Sequence, residues 1–109
     1  MSALYQIRYQ GVAGQGHGAL YVGRGTVLGI DITGSRYHGS FSRQGAQLVG
    51  SGTLTSAGAT LVTGKQLAAG QQVQFQFTLP EDFAGNRFYQ VIVDGMPVQV
   101  AFDVIGDVP

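Results

Sequence analysis

Val73-Gln74-Phe75-Gln76-Phe77-Thr78-Leu79 alternates without interruption: the odd positions are apolar and the even ones are Gln or Thr. A period of two is that of a strand with one buried and one wetted face. Phe75 and Phe77 are therefore expected inside, with Gln74 and Gln76 outside. Downstream, Asp94-Gly95 lies between the apolar-rich runs 87–93 and 98–105. Asp-Gly between two strand-like runs is a strong hairpin signal, because both residues tolerate positive φ. Upstream, strand patterns cover 4–10, 17–23, 26–33, 36–43 and 46–55, with a short one at 59–63. The turn signals between them include Gly23-Arg24-Gly25, Gly34-Ser35 and Gln44-Gly45. Residues 11–18 read as a flexible glycine-rich connection, 80–86 as the longest loop and 106–109 as a frayed tail.

These patterns predict an all-β chain of eight or nine strands. Short sequential connections favour antiparallel neighbours, and such a meander closes naturally into an up-and-down barrel. A two-sheet β-sandwich is the alternative. The segment 65–69 is too short for a stable helix. Glycine supplies 18 of the 109 residues, many of them within or beside the strand patterns. There they allow the bends and close approaches that a curling sheet needs. A six-residue echo, 22–27 against 49–54, reads as one glycine-kinked strand geometry used twice.

Composition bounds the rest. The length fits one domain spanning 1–109. Six Lys+Arg balance six Asp+Glu, so no net charge draws the chain to nucleic acid or an anionic membrane. The polar strand faces of Gln, Ser, Thr and Arg argue against a lipid-facing barrel. With no cysteine, disulfides and thiolate metal sites are impossible. The N-terminal residues lack a basic start followed by a long apolar run, which predicts no secretory signal and a cytoplasmic location.

Catalytic patterns are scarce. The glycines of 11–18 lack a P-loop lysine and a following helix. His17 and His38 are the only histidines, too few for a metal site without other convergent ligands. Glu81-Asp82 are neighbours on a loop rather than carboxylates facing each other across a cleft. The expectation is a non-enzyme with no cofactor and no metal. The remaining candidate site is the barrel interior. Tyr5, Ile7, Tyr9, Tyr37, Phe41, Phe75 and Phe77 are inward candidates, either packed solid or surrounding one small ligand.

One stretch is more specific. Gly29-Ile-Asp31-Ile-Thr-Gly34-Ser-Arg-Tyr37-His-Gly39-Ser-Phe41, preceded by Gly16-x-Gly18 and Gly23-x-Gly25, resembles the signature of GrlR-type negative regulators of type III secretion. The opening Leu4-Tyr5-Gln6-Ile7 resembles that family's first strand. The resemblance implies a small lipocalin-like barrel, often dimeric, that binds a transcriptional activator and holds it inactive. The family's acidic partner-binding loop has no counterpart, since Ser42-Arg43-Gln44-Gly45-Ala46 follows Phe41. From their own chemistry, Gly34 and Gly39 provide backbone freedom and close approach. Asp31 is expected to accept hydrogen bonds from turn amides near Gly34 and Ser35, and Tyr37 and Phe41 to enter the core.

Two functions follow as expectations. The first is a regulator that binds another protein and forms a homodimer, through Phe88 and Ile92, with Leu20 and Val22 as further apolar surface residues. The second is a carrier or sensor of a small apolar molecule, which predicts an enclosed cavity of about 300 Å³ or more. An enzyme ranks third and predicts convergent polar groups in a cleft.

Overall fold

Alternation and turn chemistry produce ten strands: β1 (Ser2–Gly11), β2 (Gly14–Gly23), β3 (Thr26–Asp31), β4 (Arg36–Gln44), β5 (Gln47–Thr55), β6 (Ala59–Thr60), β7 (Gln66–Leu67), β8 (Gln72–Pro80), β9 (Phe88–Val93) and β10 (Met96–Asp107). The structure is a computed structural model that describes residues 2–85 and 87–109. Met1 and Asn86, the last residue of the expected 80–86 loop, lie outside the described residues. Eight strands close into one antiparallel up-and-down barrel in the order β1-β10-β9-β8-β5-β4-β3-β2, while β6 and β7 form a separate two-stranded hairpin. The architecture is all-β and consistent with a lipocalin-like barrel; the sandwich alternative is set aside. No helix occurs among the described residues. The tight turns at Arg24-Gly25 and Asp94-Gly95 place both central residues at positive φ, 53° and 73° in the first and 51° and 76° in the second. This is the type I′ geometry that matches strand twist.

At five interior positions an inward aromatic faces a glycine on a neighbouring strand. Tyr9 is opposite Gly16, Tyr37 opposite Gly29, Phe41 and Phe77 opposite Gly50, and Phe75 opposite Gly52. At these positions the ring lies over a partner that lacks Cβ, whereas Tyr5 faces Leu20 and Phe102 faces Ile7. At Gly52 a Cβ would come within 2.5 Å of the Phe75 ring and 2.6 Å of the Gly39 Cα. Gly52→Ala is therefore expected to destabilise the fold by about 1–3 kcal/mol through overpacking. Gly106→Ala, with nothing within 4 Å of its Cβ, should stay within about 0.5 kcal/mol. Urea unfolding midpoints of the two variants check this, and equal midpoints would refute the steric reading.

Pairing corrects three expectations. The 11–18 segment is mostly ladder rather than a flexible connection: β1 and β2 pair from Ser2↔Gly23 to Gly11↔Gly14, leaving only Val12 and Ala13 to turn. The tail is not frayed, since β10 reaches Asp107 and Val108 N–H donates to the Ser2 carbonyl at 2.8 Å. Leu20 and Val22 are not on the surface, being 9 % and 4 % exposed. They pair with Tyr5 and Ala3 of β1, both inward, and direct cross-strand partners share a face. Ala19 and Tyr21 take the outer side instead.

The two ends of the barrel differ. The far end is closed by Phe83, 1 % exposed, from the loop between β8 and β9. The other end carries the β1–β2, β3–β4 and β9–β10 turns, with the β6–β7 hairpin lying across it as a strap. Ala13 N–H donates to the Val62 carbonyl at 2.8 Å, and Lys65 Nζ meets Asp94 Oδ2 at 2.6 Å. Exposed ion pairs of this kind contribute little, so the strap is held less firmly than the barrel wall.

Candidate functional site at the barrel mouth

A cavity of about 180 Å³ runs from the mouth down the barrel axis. Ile7, Leu20, Leu54, Phe75, Phe77 and Val100 are among its walls, and Leu79, Phe83 and Phe102 belong to its floor. Leu61 and Val62 of the strap lie beside its opening. Of the expected interior residues, Tyr5 (4 % exposed) and Ile7 (5 %) are fully buried, as is Phe75 (8 %). Tyr9, Tyr37, Phe41 and Phe77 are half-buried and packed against the same core. Tyr5 sits below the cavity, 5.1 Å from the Phe83 ring centroid.

The mouth is organised by Asp31 at the end of β3. Its Oδ1 accepts from the Thr33 backbone N–H at 2.9 Å, the Thr33 hydroxyl at 2.6 Å and the Ser35 N–H at 3.2 Å. These are the turn amides that the sequence points to, and the turn also needs Gly34 at φ 85°. Oδ2 looks into the barrel and accepts from the Tyr9 hydroxyl at 3.0 Å and from the Tyr37 hydroxyl. Tyr37 arrives from the adjacent β4. Tyr9 must cross β2, and it can do so because its partner there is Gly16 and the partner of Asp31 is Gly18. A Cβ on Gly16 would lie 2.5 Å from the Tyr9 ring and hydroxyl.

Burial foremost, then the Asp31 carboxylate, raises the Tyr9 phenol well above its ordinary value. Burial foremost, then the hydrogen bond to Asp31, does the same for Tyr37 more strongly. Both phenols thus keep their protons as donors. Linkage fixes the sign: unfolded tyrosine ionises near pH ~10 while these two remain protonated, so their contribution is intact below that pH and lost as pH rises through the folded values. The denaturant midpoint is expected to fall above about pH 10, with a shallower fall in Tyr37→Phe. Parallel pH profiles for the two proteins would contradict the network.

Gly29, Asp31, Gly34 and Tyr37 of the sequence signature meet at this mouth. Gly39 and Phe41 lie lower in the wall, where Gly39 is opposite Gly52. Comparison of the sequence with protein-family models and with curated proteins finds no match. The resemblance to GrlR-type regulators therefore rests on the motif residues alone. His17 and His38 are exposed, and among the described residues no three His, Cys, Asp or Glu side chains gather at one place. Glu81 pairs with Arg43 at 2.7 Å and Asp82 with Arg87 at 3.5 Å, so the adjacent acids turn to different cations. Sequence reasoning missed the roles of Tyr9 and Gly16 at this site. The signal that could have found them is the glycine opposite Tyr9 on the next strand, a pairing that recurs at Tyr37, Phe41, Phe75 and Phe77.

The outer face carries the other candidates. Phe88 and Ile92 point outward, paired with Ala101 and Gln76. The Arg8 guanidinium sits 5.5 Å from the Phe88 ring centroid. Ala101, paired with both residues, is thereby buried at 0 % exposure. A more exposed apolar stripe runs along β3 on the opposite side of the barrel, with Leu28 at 46 %, Ile30 at 49 % and, just beyond the strand, Ile32 at 66 %. No helix among the described residues is long and apolar enough to cross a membrane.

Proposed function

We propose that this protein is a non-enzymatic binding barrel, a sensor or carrier that takes one small apolar molecule in through its mouth. The cavity carries this reading: apolar walls, a closed floor, and a single polar cluster at the open end, the usual arrangement of a small-molecule site. Its volume, about 180 Å³, is below the ~300 Å³ expected of a drug-sized ligand. It is close to the roughly 150 Å³ apolar cavity known to hold benzene, so the ligand is about one ring in size. Thermal unfolding with single-ring apolar compounds provides the test. A ligand at 100 times its Kd should add about 2.7 kcal/mol of stability, and Leu54→Phe, which fills the cavity, should abolish the effect. No shift with any such compound would remove the reading.

A second reading is favoured by the β3 stripe. Exposed apolar residues in a row mark protein contact surfaces, and zero net charge offers little repulsion between copies. The resemblance to GrlR-type regulators points the same way, toward a cytoplasmic homodimer that restrains a partner protein such as a transcriptional activator. The two readings are compatible, because a ligand at the mouth touches the turn that ends β3. Light scattering of the protein and of Ile30→Asp tests the stripe: a dimer that dissociates in the variant supports it, and a monomer in both removes self-association.

A further inference from the structure

We propose that the molecule held at the mouth is a small organic ammonium, a protonated amine carrying one ring-sized apolar group. This rests on the binding-barrel reading and names its ligand class. The argument begins with the donors. Tyr9 and Tyr37 each have one hydroxyl proton, and both protons are directed to Asp31 Oδ2. The Thr33 hydroxyl spends its proton on Oδ1. The phenol oxygens consequently offer only lone pairs, with a carboxylate directly behind them. The ion pairs found among the described residues are Arg8–Asp103, Arg43–Glu81, Lys65–Asp94 and Arg87–Asp82, and none of them involves Asp31. Thr63, whose buried hydroxyl has no partner, is a further donor in the cavity wall, beside the exposed side chains of Gln15 and Thr60. These side chains are neutral and cannot balance a second anion.

An ammonium fits this wall in two ways. It donates to the phenol oxygens within reach of the carboxylate charge, and it meets aromatic faces that attract cations. Phe75 and Phe77 stack with centroids 6.3 Å apart, and Tyr37 meets Phe75 edge-on at 6.3 Å, so aromatic groups of β4 and β8 line one side of the cavity. A carboxylate ligand of the same size would face lone pairs and a like charge, with no cation to receive it. The apolar part of the ligand occupies the space above the Phe83 floor.

Three near-isosteres separate the possibilities: 2-phenylethylamine, propylbenzene and 3-phenylpropanoate, measured by calorimetry at pH 7 against the full chain. The amine should bind at least ten-fold more tightly than propylbenzene, and the acid more weakly than either. Asp31→Asn should weaken the amine at least ten-fold more than it weakens propylbenzene, and binding of the neutral compound also reports that the variant is folded. Equal binding of amine and propylbenzene, or preference for the acid, overturns the ammonium assignment and leaves the binding barrel standing. If none of the three binds, the binding-barrel reading fails and this assignment with it.

Discussion

Alanine in place of Phe83 is expected to cost about 3–5 kcal/mol of folding stability. The ring is 1 % exposed and seals the far end of the barrel, its centroid 5.1 Å from Tyr5 and 5.0 Å from Phe102. Tilted and edge-on pairs of this kind add to the area they bury. The loop that carries the ring is anchored on both sides. Glu81 N–H donates to the Ala46 carbonyl at 2.9 Å, and Gly85 N–H to the Phe102 carbonyl at 3.1 Å. The surroundings therefore cannot collapse into the space the ring leaves, and the full cavity penalty applies. Urea unfolding measures the loss. A change below ~1 kcal/mol would mean that the ring does not plug the barrel.

Asp31→Ala is expected to be the most costly substitution at the mouth, at about 2–3 kcal/mol. One carboxylate receives five hydrogen bonds, from Thr33, Ser35, Tyr9 and Tyr37, so its loss releases a turn and two strands together. Ser35 is 1 % exposed, so its N–H has poor access to replacement water. The phenols border the cavity, where water can partly satisfy them, and this keeps the cost moderate. A double-mutant cycle with Tyr9→Phe isolates the long-range part. The combined loss should be smaller than the sum, because each change removes the same bond. Strict additivity would show that Tyr9 does not act through Asp31.

The signals for the strands are local. Alternation from Val73 to Leu79 puts Phe75 inside and Gln74 and Gln76 outside, because a pleated strand has no other way to separate its faces. Asp94-Gly95 and Arg24-Gly25 turn where left-handed residues are needed. Asp31 binds the amides of its own turn, a contact spanning two to four residues. Each of these depends on a few neighbouring residues, so the chain alone determines an all-β meander and the short turns that join it.

What lies across the barrel follows other causes. Leu20 and Val22 look like surface residues until β1 fixes which face of β2 turns inward. Residues 11–18 look flexible until their glycines are opposite Tyr9 and Asp31, where the absence of side chains is what allows pairing. Phe83 looks like a loop residue until closure of the sheet leaves an open end for it to fill. Tyr9 and Asp31 are separated by 22 positions and a whole strand. The pairing of β1 and β3 with β2, through Gly16 and Gly18, brings them together, and a cavity with a mouth exists only once the first strand meets the last. The sequence by itself thus determined the strands, the turns and the capacity to curl; the tertiary structure decided which side is inside, how much space remains there and which groups face it.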